Sequence, residues 1–501
     1  MLDIKDVDIC VSTRYLVKNL NLTLNRGDKC AIIGEEGNGK STILKAILGI
    51  CDYGELSGCI NFKGNRVGYL KQNLRDEGNF SVRNFLFVDD EDYYDKIAKF
   101  YSLLDEVNLS DEILNQRIQT LSGGEMVKIS IVKILLDDPE ILFLDEPTND
   151  LDIASLEWLE NFINNTDKPI LYVSHDETLL SNTANMILHI EQVKKKTECK
   201  HTLARCSYDE YVDARLKNIE KETRIAKNER REEKKKEDKL NRLMQSVQYK
   251  QNNISRADPH GAKVLKIKMR ALKAQEARLE KTELLDVPDP EESIYFSFED
   301  VFIPKEKVVL KLSIPKLFIG EKLLVTNLAL DVKGQEHVCI IGANGVGKST
   351  LIKLIYDMLK DRNDIVLGYM PQDYRSVLDG YKCPLDFIAG TSIEDVTEAR
   401  KYLGNMKFTR DEMTGSIDEL SNGSIAKLFI TKLVRDKCNV LLLDEPTRNT
   451  SPLSNPVIRE KLKDFKGTII SISHDRKYID EVATVVYEMT TAGLRKVKWW
   501  I

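Results

Sequence analysis

Hydrophobic and polar residues alternate along this chain in two different textures. Short apolar runs at residues 29–33, 141–144 and 170–173 recur at 337–341, 440–443 and 469–472. Each run is of strand length and is followed by a longer stretch with helical spacing, which predicts an α/β fold with a largely parallel sheet. Between the two sets the texture changes. Residues 212–246 are dense in Lys, Arg and Glu, with Leu216, Ile219, Leu240 and Leu243 spread among them; residues 262–285 read similarly, with Val264, Ile267, Ala271, Ala274 and Leu279. Both stretches hold good helix formers and no proline, so both predict helices. Asn252-Asn253-Ile254-Ser255 and Asp258-Pro259-His260-Gly261 interrupt them, as turn-forming residues do. The expectation is a helical hairpin whose first arm is about 50 Å long at ~1.5 Å per residue.

The two strand-rich regions repeat each other. Gly34-Glu35-Glu36-Gly37-Asn38-Gly39-Lys40-Ser41-Thr42 returns as Gly342-Ala343-Asn344-Gly345-Val346-Gly347-Lys348-Ser349-Thr350. An apolar strand ending in Asp145-Glu146-Pro147-Thr148 returns as Asp444-Glu445-Pro446-Thr447, and Ser174-His175-Asp176 as Ser473-His474-Asp475. Lys40 and Lys348 are 308 apart, Gln72 and Gln372 300, and both Glu146–Glu445 and His175–His474 299. So long and constant a period marks a duplicated domain rather than a solenoid. The division is a first copy over 1–200, a linker over 201–290 with its tip near 245–261, and a second copy over 291–501. The 501 residues agree with about three parts at ~150 residues each.

Composition narrows the class. The chain is 42% hydrophobic and 31% charged, and its apolar stretches are far shorter than the ~20 residues of a membrane span. Met1-Leu2-Asp3-Ile4-Lys5-Asp6 lacks the basic and apolar regions of a signal peptide. Nine scattered cysteines without a C-x-x-C pair argue for a reducing compartment and against a disulfide framework or zinc site.

Both glycine-rich runs fit G-x-x-x-x-G-K-[ST] between a strand and a helix. In that pattern, backbone N–H groups of Gly34, Gly37, Asn38 and Gly39, or of Gly342, Gly345, Val346 and Gly347, cradle phosphates at a helix N-terminus. Lys40 and Lys348 reach the β- and γ-phosphates, and Ser41 and Ser349 hold Mg²⁺, with Thr42 and Thr350 beside them. Asp145 and Asp444, at strand ends beside the loop, can hold Mg²⁺ through its water shell; Glu146 and Glu445 can orient or deprotonate the attacking water. His175 and His474 can donate to a γ-phosphate oxygen, and two of only six histidines fall at these matched positions. Leu121-Ser122-Gly123-Gly124-Glu125 opens a helix and offers bare N–H groups to an anion; taken alone it reads more readily as an ordinary N-cap.

Together the phosphate loop, Gln72, the Leu121–Glu125 signature, Asp145-Glu146 and Ser174-His175-Asp176 resemble an ABC-type ATPase domain. Two such domains joined by a charged helical hairpin, without transmembrane segments, resemble the ABC-F family. The resemblance implies two tandem ABC-type P-loop ATPase domains that close head-to-tail on two ATP molecules. Each ATP then lies between one copy's phosphate loop and the other's signature, Ser122, Gly123 and Gly124 or Ser421 and Gly423. It also implies that Gln72 and Gln372 join Mg²⁺ and ATP, and that Tyr15, 25 residues before Lys40, stacks on adenine, where Leu323 stands in copy two.

The copies are not equivalent. The second signature is Leu420-Ser421-Asn422-Gly423-Ser424, and Arg448-Asn449-Thr450-Ser451 replaces Asn149-Asp150-Leu151-Asp152. Asn422 tolerates unusual backbone angles better than most residues. Both sites are expected to bind ATP and to turn over unequally.

Charge is also unevenly spread. Residues 214–285 hold 21 Lys and Arg against 11 Asp and Glu, a net of +10; subtracting this from the chain's −6 leaves −16 elsewhere. Over 243–273 seven basic residues face only Asp258. Such an uncompensated stretch suits phosphate backbones, whereas 220–239, with Glu and Lys interspersed, reads as a solvated helix. Tyr249 can stack on a base, though it reads equally as an internal core residue. Lys250, Arg256 and Lys263 can meet phosphates, and Gln245 and Asn252, with Gln248, Gln251 and Asn253, can hydrogen-bond RNA.

The ABC-F resemblance implies a 70S ribosome partner, its ribosomal RNA and the peptidyl-site tRNA, reached through the exit-tRNA site. It implies a ribosome-associated cytoplasmic protein that works as a monomer and protects translation from antibiotics near the peptidyl-transferase centre. A general translation factor, a transporter ATPase subunit with separate membrane partners and a DNA-repair ATPase are the alternatives. The 82 residues from Lys40 to Ser122 and the 73 from Lys348 to Ser421 leave little room for an inserted arm, and with some 26 residues after Asp475 no further C-terminal domain is expected.

Overall fold

The computed structural model describes residues 1–11, 14–51, 54–62, 66–72, 80–87, 90–193, 198–253, 259–279, 294–298, 301–320, 322–389 and 393–499. Residues 1–208 and 291–501 form one compact unit and residues 209–290 a second.

The first copy opens with β1 (Leu2–Val11), β2 (Arg14–Leu24), β3 (Lys29–Ile33), α1 (Lys40–Ile47), β4 (Gly54–Asn61) and β5 (Val67–Leu70). There follow α2 (Val82–Leu86), α3 (Asp90–Val107), α4 (Gly123–Leu136), β6 (Ile141–Asp145), α5 (Ile153–Asn165), β7 (Ile170–Val173), α6 (Glu177–Thr183), β8 (Met186–Val193) and β9 (Glu198–Ala204). Strands β2-β1-β4 make an antiparallel sheet, and β5-β6-β7-β3-β8-β9 the central one. The central sheet is parallel except for the β8–β9 edge. Every residue of β3, β6 and β7 is buried, as covering both faces of a parallel sheet requires. β3 lies between β7 and β8, so its loop into α1 emerges where the strand order reverses, the usual ligand crevice of such sheets. Strand β9 ends at Ala204, so the first copy's sheet continues past position 200.

The second unit contains most of α7 (Tyr208–Asn252) and α8 (Pro259–Leu279). At 45 residues, α7 is about 68 Å long. It exceeds the expected arm because no glycine or proline stands between 208 and 252 to stop it. Leu240, Met244 and Val247 pack against Leu265, Met269 and Leu272, a seam repeating every three to four residues as in a coiled coil.

The second copy follows the same plan: β10 (Val308–Ile319), β11 (Lys322–Lys333), β12 (His337–Ile341), α9 (Lys348–Leu359), β13 (Leu367–Met370), α10 (Arg375–Leu378), α11 (Pro384–Ile388), α12 (Ile393–Asn405) and α13 (Arg410–Thr414). It closes with α14 (Asn422–Arg435), β14 (Val440–Asp444), α15 (Asn455–Lys463), β15 (Thr468–Ile472), α16 (Arg476–Val482), β16 (Val485–Thr490) and β17 (Gly493–Val497). Its central order, β13-β14-β15-β12-β16-β17, reproduces that of the first copy strand for strand.

The copies meet through charge. Arg459 of α15 donates to both carboxylate oxygens of Glu177 in α6 and also pairs with Glu481. Arg476 of α16 pairs with Glu160 of α5. These groups are buried, except for the half-exposed Glu481; mutual pairing is what makes burying such charges tolerable.

Candidate nucleotide sites

Each phosphate loop is shaped by left-handed glycines. Gly34 and Gly342 have φ of 149° and 145°, and a side chain at either would strike the carbonyl of Ile190 or Met489. Gly37, Gly39, Gly345 and Gly347 also have positive φ. Asn38 locks the first loop by donating to the Ile190 carbonyl at 3.0 Å, and the half-buried Val346 packs on the core of the second copy. Lys40 donates to the carbonyls of Gly34 and Glu35 at 2.9 and 3.1 Å, and Lys348 to those of Gly342 and Ala343 at 2.7 and 3.0 Å. Ser41 donates to Asp145 at 2.6 Å, and Ser349 to Gln372 at 3.5 Å. Thr42 and Thr350 lie in the first turns of α1 and α9. Gln72 is exposed just beyond β5.

Glu146 and Glu445 follow β6 and β14 with φ of 51° and 56°. A left-handed backbone at a residue other than glycine costs of order 1 kcal/mol and clusters at functional positions. Here the strands enforce it, since the Glu146 and Glu445 N–H groups bond to the carbonyls of Val173 and Ile472 at 3.0 and 2.9 Å. The environments then diverge. Glu146 lies 2.9 Å from His175 Nε2. Burial raises its pKa, but His175 and Lys40 outweigh it and hold the carboxyl below its ordinary range. Glu445 stands 3.7 Å from His474 Nε2 and accepts from the His474 backbone. Burial and Asp444 push it up to about 7, against Arg448, the His474 N–H and Lys348. Burial and Lys348 bring His474 down to about 3, so its imidazole is neutral at pH 7.

A cavity of about 410 Å³ joins the two copies at the second site. Gly345, Gly347, Lys348, Ser349, Thr350, Gln372, Asp444, Glu445 and His474 line one side; Gly123, Asn149, Asp150 and His175 come from the first copy. Asn344 donates to the Asp150 carbonyl and Arg448 to its carboxylate, both at 2.6 Å. Ser122 caps α4 in a reciprocal box with Glu125, and Gly124 has no room for a side chain beside Ser155.

At the first site the partner is the second copy's α14. Ser421 caps it, but Ser424 stands where Glu125 stands in α4, so the reciprocal half of the box is lost. A side chain at Gly423 would collide with Glu36. Lys427, one turn on, reaches Glu36 at 2.9 Å and Glu35 at 3.8 Å. The unusual backbone freedom expected of Asn422 is not used: it is the first residue of α14 and has no positive φ.

Tyr15 is 42% exposed with Lys18 over its ring. Its neighbour Leu16 packs against Gly39, as Leu324 does against Gly347, and Leu324 rather than Leu323 lines the second cavity. Each leucine precedes its lysine by 24 residues, a spacing that could have revealed the pair. Lys427 and Lys128 likewise keep the 299-residue offset. Glu36, Asp150 and Arg448 carried no such signal. In the hairpin, Gln245, Lys250, Asn252 and Lys263 are exposed; Tyr249, 71% exposed, is not a core residue. Arg256 lies outside the described residues.

The residues present fit a triphosphate and Mg²⁺. Glycine cradles end at helix N-termini, and buried Glu146 Oε2, His175 Nδ1 and His474 Nδ1 have no hydrogen-bond partner among the described residues. Ser41 with Asp145, and Ser349 with Asp444 and Gln372, are the hard oxygen donors Mg²⁺ takes alongside water and phosphate. The family model described as ABC transporter matches residues 17–149 and 325–448. The chain belongs to the ABC transporter family. As an ABC protein it is an ATP-hydrolysing enzyme, although no described helix is long and apolar enough to cross a membrane. Its homologues include ABC-F proteins. ABC transporter F family member 5 of Arabidopsis thaliana is 26% identical over 95% of this chain and 72% of its own length. Energy-dependent translational throttle protein EttA of Escherichia coli K12 is 27% identical over 96% and 90%. Among solved structures, archaeal ribosome recycling factor aABCE1, in complex with the ribosomal stalk protein aP1, superposes with a TM-score of 0.60. That match is 18% identical and covers 98% of this chain and 90% of that one, and it shares the tandem fold.

Proposed function

We propose that this ABC protein is an ABC-F translation factor that uses ATP to time its stay on the ribosome. The observation that carries this reading is the pairing of two ATPase copies with a 45-residue helix in a hairpin whose distal part is positively charged. A transporter subunit has no use for such a hairpin, and the relative EttA is named as a translational throttle. Exposed Tyr249, Lys250 and Lys263 suit stacking and phosphate contacts with RNA.

In this reading the second site turns over faster. Glu445 is the base that orients or deprotonates the attacking water, and neutral His474 donates toward the γ-phosphate. Lys348 and Ser349 grip the phosphates and the Ser122–Gly124 turn completes the site. Mg²⁺, when bound through Ser349, Asp444 and Gln372, supplies charge neutralisation of the triphosphate. Glu146 and His175, already bonded to each other, form the slower counterpart with Lys40, Ser41 and Asp145. ATP favours the closed pairing and hydrolysis relaxes it, a population shift read out by ribosome binding. Glu146→Gln with Glu445→Gln should co-sediment with ribosomes in ATP; a double variant that stays in the supernatant overturns the proposal.

The finer reading places the hairpin in the exit-tRNA site of a 70S ribosome, beside the peptidyl-site tRNA, where it protects against drugs at the peptidyl-transferase centre. The length of α7 supports this over a factor without drug protection, as does the short span between phosphate loop and signature in each copy. Expression in a susceptible bacterium should raise the tolerated dose of a lincosamide, pleuromutilin or streptogramin A. Unchanged doses with retained ribosome binding leave the general translation factor.

A further inference from the structure

The first phosphate loop carries a feature that opposes its task. Glu35 and Glu36 occupy two of its variable positions, where the second loop has Ala343 and Asn344. Both carboxylates are nearly buried, next to where a triphosphate would sit, and like charges at such range repel strongly away from water. Lys40 cannot balance them alone, because its ammonium is committed to two loop carbonyls and is drawn toward Glu146 as well.

We propose that Lys427 is a positioning residue of the first ATP site: carried on the second copy's signature helix, it neutralises Glu36 and Glu35 and thereby sets the affinity of the first phosphate loop for ATP.

Three observations carry this. The Lys427 and Glu36 side chains are only 7% and 5% exposed and meet at 2.9 Å, with Glu35 at 3.8 Å. The approach depends on Gly423, since any side chain there would collide with Glu36. The matching lysine of the first copy, Lys128, instead lies 5.2 Å from the ring centre of Trp158 in its own copy; the uncharged second loop is held by Asn344 on the Asp150 carbonyl. Loop carboxylates and a signature-helix lysine held against them therefore occur together at the first site, whereas at the second the loop positions are uncharged and the lysine lies over Trp158 instead. Burial alone would raise Glu36, but Lys427, with Lys40 and His175, brings it down to about 2, so the loop stays anionic at any working pH. The first loop then binds ATP well only while the second copy's α14 is docked, which couples nucleotide affinity to domain pairing.

This rests on the Lys40 loop being an ATP site. The test uses the full chain carrying Lys348→Ala, which removes the second site's grip, titrated with a fluorescent ATP analogue. Adding Lys427→Gln should weaken binding by about tenfold or more. Adding Glu35→Gln and Glu36→Gln to that variant should restore it, and Lys427→Arg should keep most of it. Unchanged affinity in Lys427→Gln, or a loss that removing the carboxylates does not recover, overturns the coupling alone. A Lys348→Ala protein that binds no nucleotide overturns the first-site reading and the coupling with it.

Discussion

The two nucleotide sites share one strand order, one set of loop glycines and one left-handed glutamate, yet they are held together differently. At the second site neutral and peripheral contacts join the copies: Asn344 on a backbone carbonyl, and the partly exposed Arg448 on Asp150. At the first site a buried ion pair, Glu36 with Lys427, does so. A buried pair is costly to break because the surviving charge is left without water. A carbonyl contact can exchange with solvent at little loss. On the proposed reading, the same fold places a site that opens more readily beside one that holds.

The largest test of that contrast is catalytic. Glu445→Gln should lower ATP turnover by about a hundredfold or more, the scale of a lost general base, while Glu146→Gln leaves most of it; equal losses in steady-state assays break the comparison. The next is acid stability. Glu36 has a depressed folded pKa, so its stabilising contribution is present above the unfolded carboxylate range and is lost as pH falls toward about 2. Between pH 6 and pH 3 the wild type should therefore lose about 2 kcal/mol more stability than Glu36→Gln, measured by urea unfolding; parallel curves would remove the ion pair from the account. A smaller effect separates the signatures. Gly123→Ala forces a methyl onto the Asp150 carbonyl and should cost about 1–3 kcal/mol, seen as a lower melting temperature, whereas exposed Asn422→Ala should be near neutral. The smallest sharpens the helix starts: Ser424→Glu restores the reciprocal cap of α14 and should add about 0.5 kcal/mol, a slight rise in the same melting curve.

Much of this molecule is written in local pattern. The apolar runs at β3, β6 and β7 announce a parallel sheet because both faces must be covered, and the glycines announce a phosphate loop because only they accept its backbone. The doubling of every motif announces two copies. α7 runs past the length its composition predicts, since helix ends depend on where breakers fall, and no glycine or proline falls before Asn252. Tyr249 had no readable side until packing of the hairpin left it outside the seam of Leu240, Met244 and Val247. The matched spacing of Leu16 and Leu324 marks them as a pair, but the contact of Leu16 with Gly39 arises only when β2 lies against the loop.

The sequence by itself determined the duplicated α/β design, the phosphate chemistry and the basic hairpin, because periodicity, glycine placement and charge density are properties of neighbouring residues. Only the tertiary structure decided that Asp150 meets Asn344 and Arg448, that Glu177 meets Arg459, and that Lys427 meets a carboxylate 391 positions away. Such pairings depend on which surfaces two folded copies press together, and burial then turns an ordinary lysine and glutamate into a bond that the first site cannot easily release.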